Sequence, residues 1–313
     1  MSVLMQQGRD VMRSAVDHSR AGEAEQMSVA HAAPAAGAIA YEDAIRELQS
    51  DPRTAQLIAD CYIDADVRVV AERFAASDEW RAVRAILGDA IRGSTTLDLG
   101  AGNGVASYAF AQAGAGRVLA VEPFAGGLAG RTAIARLAHP SIVLIDSTGE
   151  ALPVPDASVD IVYARQVLHH ADDLDAMLAE CARVLRPNGL FLACREHVVD
   201  DEAQLAAFLA AHPIHQLVGG EGAFPLKTYK RAISGSGLVL KRVWGPWDSI
   251  VNAFPSARTT AEFASRPREL LASRLGPLGQ YLGRIPGATL AIRWRLSGRR
   301  EPGRLYSFLA QKQ

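Results

Sequence analysis

Three glycines and two acids set the chemistry open to this chain. Leu97 to Gly104 reads L-D-L-G-A-G-N-G, with Gly100, Gly102 and Gly104 at alternate positions and Asp98 inside the apolar run before them. Glycine tolerates positive φ and carries no Cβ, so backbone amides there can approach a bound molecule closely. The pattern predicts a buried strand that ends in a tight turn and opens a helix, whose first N–H groups and positive dipole end are available to a ligand. A second acid follows. R-V-L-A-V-E, residues 117–122, is an apolar strand ending in Glu122, eighteen residues after Gly104. A carboxylate at that place can accept hydrogen bonds from both hydroxyls of a ribose.

Those residues need a scaffold that brings strand ends together. From Thr95 onward, strand-like apolar runs alternate with helical patterns, which predicts an α/β fold, a mostly parallel sheet with helices on both faces. Seven strands are expected, at 95–99, 117–121, 141–145, 159–164, 190–194, 238–244 and 304–310. The clearest helix is 174–185, where Leu174, Met177, Leu178, Cys181 and Leu185 share one face and Pro187-Asn188-Gly189 ends it. Open α/β sheets bind ligands beyond the carboxyl ends of their strands. The ends at Gly100-Ala101-Gly102, Glu122, Asp146 and Arg165 should therefore converge on one crevice. Around this core, 93–251, the chain divides into an N-terminal arm (1–40), rich in Ala, Ser, Gln and Gly and expected to be mobile, and a helical cap (41–92). Helix starts in the cap are read at Asp51-Pro52 and Ser77-Asp78. A helical, arginine-rich insertion (252–303) and a final strand (304–313) complete it.

The spacing G-x-G-x-G differs from the G-x-G-x-x-G of dinucleotide enzymes. With Asp98 before it, the stretch resembles the first motif of class I S-adenosylmethionine-dependent methyltransferases. Two later blocks extend the resemblance: D-S-T-G-E-A-L-P-V-P-D-A-S-V-D-I-V-Y-A-R-Q-V-L-H-H at 146–170, and A-R-V-L-R-P-N-G-L-F-L at 182–192. Over residues 94–197 the chain is similar to the small-molecule branch of that class. The resemblance implies a Rossmann-like seven-stranded sheet whose last strand runs antiparallel. It implies S-adenosyl-L-methionine as methyl donor and S-adenosyl-L-homocysteine as product. It also implies roles: the backbone of Gly100, Ala101 and Gly102 against the methionine portion, Asp98 on its amino group, Glu122 on the ribose, Asp146 and Ser147 at the adenine edge. Gly149, an extra residue before Glu150, makes Asp146 a weaker assignment than Glu122. Asp98 lies in a buried strand and needs a partner, either the ligand or amides of the glycine loop. Arg165 pairs either with the cofactor carboxylate or with an acidic neighbour.

Methyl transfer from a sulfonium needs mainly alignment of nucleophile, carbon and sulfur, and a base assists it. Histidine suits proton removal near neutrality. The candidates are His170 after the fourth strand, His197 after Glu196 at the end of the fifth, and His215 in H-P-I-H. The polar, glycine-rich stretch from His212 to Phe224 stands where class members place acceptor-binding elements. An H-x-x-H pair in a Pro-containing loop, with Glu221, is weak support for a metal site, and none is assigned.

The 313 residues are 49% hydrophobic and 21% charged with a net charge of −1, a composition ordinary for a globular protein and without the basic excess of a nucleic-acid partner. Three scattered cysteines without a C-x-x-C pair, no secretory apolar core and no run near the ~18 apolar residues of a membrane span point to a cytoplasmic setting. Charge is unevenly spread: 252–304 holds ten arginines, no lysine and three acids. That insertion reads as a solvated amphipathic subdomain, as a lid over an anionic acceptor, or as a membrane-surface contact. The expected function is methyl transfer to oxygen or nitrogen of a small or carrier-linked metabolite. A non-catalytic cofactor-binding scaffold and a nicotinamide-dependent oxidoreductase are the alternatives, the second disfavoured by the glycine spacing and by the lack of a Tyr-x-x-x-Lys signature.

Overall fold

The computed structural model describes residues 40–313, so the arm expected at 1–40 lies, Ala40 excepted, outside the described residues. Four helices come first: α1 (Tyr41–Ser50), α2 (Ala55–Asp60), α3 (Val67–Ala75) and α4 (Asp78–Leu87). α3 and α4 begin where a side chain satisfies first-turn amides. Asp66 accepts from Arg68 and Val69, and Ser77 accepts from Trp80. α2 starts at Ala55 and not at the Asp51-Pro52 pair expected to open it, because residues 51–54 form a turn in which the Asp51 carboxylate takes the Arg53 amide.

The strands are β1 (Thr95–Leu99), β2 (Arg117–Val121), β3 (Ile142–Ile145), β4 (Val159–Arg165), β5 (Leu185–Val199), β6 (Phe224–Pro225), β7 (Leu238–Trp244) and β8 (Arg304–Lys312). Between them lie α5 (Val105–Gln112), α6 (Arg131–Leu137), α7 (Leu174–Val184), α8 (Glu202–Ala211), α9 (Pro213–Val218), α10 (Leu226–Gly235), α11 (Ile250–Ala253), α12 (Thr260–Leu282) and α13 (Pro286–Ser297). Seven strands run in the order β3-β2-β1-β4-β5-β8-β7, and the two-residue β6 pairs with β5 off that path. Neighbours from β3 to β5 are parallel, while β8 is antiparallel to both β5 and β7. β2 and β4 flank β1 on opposite sides, so the chain order reverses there, where such sheets open a crevice.

β5 is three times the length expected, because it pairs with β4 on one edge and with β8 and β6 further along. α7 accordingly stops at Val184, and Leu185 and the Pro-Asn-Gly that follows belong to the strand segment. One face of the sheet packs Ile161, Tyr163, Leu192 and Cys194 against Val70, Phe74, Trp80 and Phe110 of the cap and α5. The alternate residues Val162, Ala164, Phe191 and Ala193 are buried too. Covering both faces of a parallel sheet explains why its strands read as continuous apolar runs.

α12 and α13 fill the insertion, and α12 breaks at Gly276 (φ +56°), just before Pro277. Its start is tied to the cap: Arg258 pairs with Asp60 at 2.8 Å, and Asp78 accepts the Thr260 amide. Away from that contact Leu275, Leu278, Tyr281, Leu290 and Trp294 are exposed. Among the described residues no helix is long and apolar enough to cross a membrane.

Candidate active site

β1 ends at Leu99, and Gly100 (φ +59°), Gly102 (φ +58°) and Gly104 (φ +84°) turn the chain into α5. A side chain at Gly100 would strike Val167, whereas one at Gly102 would enter open space. The first glycine is thus required by close packing, and the second borders a void. That void belongs to a cavity of about 570 Å³. Six of the residues singled out from sequence line it: Gly100, Gly102, Glu122, Ser147, Arg165 and His170. Leu99, Val121, Phe124 and Met177 supply apolar wall, and Glu221 adds a carboxylate.

Glu122 is 7% exposed and takes the Gly102 amide on Oε2 and the Phe124 amide on Oε1, each at 2.8 Å. Each oxygen keeps a second lone-pair site for a ligand hydroxyl. Burial raises its pKa, and the two amides oppose the rise. Asp98 is not on the cavity wall. Its Oδ2 accepts the Ser107 hydroxyl of α5 at 2.6 Å, a partner that is neither ligand nor loop amide. Burial pushes this carboxyl up to about 7, against the pull of that hydrogen bond. Ala101 and Asp146 are off the wall as well. The Ala101 amide donates to the Val121 carbonyl of the neighbouring strand, and Asp146 turns outward to pair with Arg131 at 2.7 Å, leaving Ser147 and Thr148 facing in.

Of the two partners weighed for Arg165, the structure supplies the acidic neighbour. Glu79 of α4, buried, receives Nε at 2.7 Å and Nη2 at 3.1 Å. Arg195 stands behind, its Nε 3.9 Å from the same carboxylate and its Nη1 donating to the carbonyls of Val251 and Phe254. Burial alone would raise the pKa of Glu79, but the two guanidiniums hold it below the usual carboxylate value. Arg165 also lies over the rings of Tyr62 and Phe74.

The histidines separate. His169 and His170 follow β4, and Glu196, fully buried in β5, reaches beneath them. Its Oε1 accepts the Val167 amide at 3.1 Å; its Oε2 accepts the His169 amide at 3.2 Å and His169 Nδ1 at 2.7 Å. His170 Nδ1 donates to the Gly220 carbonyl at 3.2 Å. His197 and His215, both expected as bases, do not line the cavity. His197 Nδ1 donates to the Gly303 carbonyl at 2.9 Å, with the ring packed between His169 and Phe208. Burial, reinforced by His169, holds its pKa well below the ordinary value, so it stays neutral. The H-P-I-H stretch is no loop. Pro213 opens α9, His212 Nδ1 accepts the His215 amide as its cap, and His215 does not line the cavity.

Three residues escaped the sequence reading of the site: Glu79 as partner of Arg165, Glu196 as partner of His169, and Glu42 of α1, whose Oε1 accepts the amides of Gly127 and Leu128 beside the cavity. Glu79 and Glu42 act across more than eighty residues, a separation at which no local pattern signals a pair. The adjacency Glu196-His197 was visible, but it drew attention to His197 and not to Glu196.

Residues 97–193 match the family described as methyltransferase domain. An uncharacterized methyltransferase of Mycobacterium avium is 38% identical over 113 residues, 36% of this chain and 42% of that protein. A ubiquinone biosynthesis O-methyltransferase of Bradyrhizobium sp. is 36% identical over 102 residues, 33% of this chain and 40% of that protein. A malonyl-[acyl-carrier protein] O-methyltransferase of Methylococcus capsulatus is 25% identical over 162 residues, 48% of this chain and 56% of that protein. The chain thus spans about half or less of the length of these curated relatives.

Proposed function

We propose, on the premise that residues 97–193 are a class I methyltransferase domain, that this protein transfers a methyl group from S-adenosylmethionine to an oxygen of a small or carrier-linked metabolite. The observation that carries the reading is the pairing of Glu122 with the Gly102 amide at the rim of the cavity, which leaves carboxylate lone pairs and open space on the same wall. A nucleoside bearing an amino acid fits such a wall, with polar groups at Glu122 and Ser147 and apolar surface at Leu99, Val121, Phe124 and Met177. Bound there, S-adenosylmethionine supplies a methyl group already activated on a sulfonium.

The chain's own part is to bind and orient. Glu122 accepts the ribose hydroxyls, the backbone at Gly100 and Gly102 lies against the methionine portion, and Ser147 and Thr148 meet the adenine. Asp98 acts from beneath, holding α5 to β1 through Ser107. Arg165, its fork engaged by Glu79, stiffens the wall between cap and sheet. Of the three histidines, His170 is assigned to the acceptor, because it shares the cavity with the glycine turn. Two relatives named as O-methyltransferases, one of them acting on a carrier-protein-linked malonyl group, support an oxygen acceptor and a carrier-linked one among the possibilities. The insertion is assigned to a surface role, since among the described residues none from 252–303 lines the cavity.

Calorimetric titration with S-adenosylhomocysteine tests the cofactor site, and its absence of binding to folded protein would overturn the reading. Incubation with isotopically labelled methyl donor and an extract of the host, followed by mass spectrometry, identifies the acceptor. Binding without any labelled product would leave a cofactor-binding scaffold.

A further inference from the structure

His169, His170 and Glu221 each bring one ligand atom into a group whose members lie within 4.8 Å of one another. His169 Nε2 is 3.8 Å and His170 Nε2 3.9 Å from Glu221 Oε2. The tautomers follow from what stands behind each ring. His169 gives its Nδ1 proton to Glu196, whose oxygens already accept two backbone amides, and His170 gives its Nδ1 proton to the Gly220 carbonyl. In the neutral rings both Nε2 atoms therefore carry lone pairs, and both stand beside a carboxylate that is itself 11% exposed. The other carboxylate oxygen of Glu221 stands 3.9 Å from His212 Nδ1, so histidines surround it on more than one side.

We propose that His169, His170 and Glu221 bind a divalent metal ion of the zinc type in the wall of the cavity. Ligand bonds of ~2.0–2.2 Å place neighbouring donor atoms a little over 3 Å apart. Closing the group needs shifts of about 0.5 Å per side chain on that geometry, and His170, 42% exposed, has room to turn. A carboxylate behind one histidine and a carbonyl behind the other is the outer support that metal-binding imidazoles use to fix tautomer and ring orientation. Two nitrogens and one oxygen favour a zinc-type ion over calcium or magnesium, which take oxygen sets. Three protein ligands leave a further position open, as in catalytic and not structural sites, and His170 and Glu221 border the cavity that Gly102 and Glu122 border.

The ligand class follows: an acceptor whose oxygen binds the ion as an anion. Its hydroxyl proton passes to solvent water. The oxygen then forms a bond to the methyl carbon as the carbon–sulfur bond breaks, and the electron pair leaves with the sulfur as a neutral thioether. This use of the ion rests on the methyltransferase reading; binding of the ion does not.

The test is calorimetric titration of full-length, untagged, chelator-treated protein with zinc chloride near neutral pH, with cobalt(II) as a spectroscopic probe of nitrogen–oxygen coordination. One equivalent should bind, and His170→Ala and Glu221→Gln should each weaken binding at least tenfold, the lower end of what even outer-support losses produce. Circular dichroism and S-adenosylhomocysteine titration of the same samples establish that each variant is folded. Absence of saturable zinc binding by folded protein, or affinity unchanged in both variants, would overturn the proposal and leave a protonated histidine as the positive charge. Zinc binding without S-adenosylhomocysteine binding would uphold the ion and sink the methyltransferase reading; the converse would do the opposite.

Discussion

Two buried charge clusters stand at neighbouring strand ends. At the end of β4 and in β5, Glu79, Arg165 and Arg195 bring one acid and two bases together, with carbonyls and aromatic faces taking up the remaining guanidinium surface. Beside it, Glu196 of β5, His169 and His170 after β4, and Glu221 bring acids and imidazoles together, and two of the four border the cavity. The first cluster is closed by opposite charges within the chain, even where Arg165 reaches the cavity wall. The second collects acceptors and faces a space large enough for a ligand. Buried charge is costly unless paired, so a closed cluster reads as scaffold, and a cluster of titratable groups at a cavity wall reads as a binding place.

The largest expected effect comes from breaking the closed cluster. Glu79→Gln leaves two buried guanidiniums without their carboxylate and should destabilise the fold by about 3–5 kcal/mol, read as a lowered denaturant midpoint. An equally stable mutant would mean that water reaches these groups.

Asp98 sharpens the contrast, since among the described residues Ser107, a neutral residue, donates to it. Its folded pKa, about 7, lies above the ordinary carboxylate value from which the unfolded chain titrates. The native state therefore holds a proton that the unfolded state has lost. The stabilising contribution is fully present below the unfolded pKa and is lost as pH rises through the folded value, on the order of 2–4 kcal/mol between about pH 4 and 7. Asp98→Asn should flatten the fall in stability over that window, as followed by urea titrations at several pH values. A slope identical to that of the parent protein would assign it to other groups.

Glu122→Ala is a middle case, a carboxylate closed by two amides on one side and open to the cavity on the other. It should weaken S-adenosylhomocysteine binding by about 1.5–3 kcal/mol for each charge-assisted hydrogen bond lost, with the fold retained by circular dichroism. Unchanged affinity would take the ribose role away from it.

The smallest effect is expected where charges are neither closed nor cavity-facing. Arg274 and Arg295 are exposed on the insertion. Exchanging both for Gln should alter stability by no more than about 0.5 kcal/mol and leave the salt dependence of the acceptor KM unaltered. A salt dependence abolished by this pair would restore the lid that the cavity lining argues against.

Legibility from sequence followed the range of the interaction. β1, β2 and β7 were readable to the residue, the first two because burial on both faces writes an apolar run locally and the glycine turn punctuates β1. β5 was underestimated on both sides, since its length is set by partners as distant as β8. Gly100, Gly102 and Glu122 were legible because a turn and a strand end are local events. Asp98 was legible as a residue in need of a partner, but Ser107, in the first turn of α5, was not foreseen as that partner. His197 and His215 stand at suggestive places in the chain, yet neither lines the cavity: the His197 ring is held at the Gly303 carbonyl, and the His215 amide is taken by the cap of α9.

β8 completes the far edge of β5, pairing from Leu190 to Val198. On the ribosome that edge has no partner until Arg304 to Lys312 have been made. β8 begins about 105 residues after β5 ends, so at elongation rates of ~5–20 residues per second the wait is roughly 5–20 s. An apolar strand with open N–H and C=O groups is a template for pairing with any other nascent chain. The protein should thus depend on holding chaperones late in its synthesis, and faster elongation through 200–304 should raise its soluble yield.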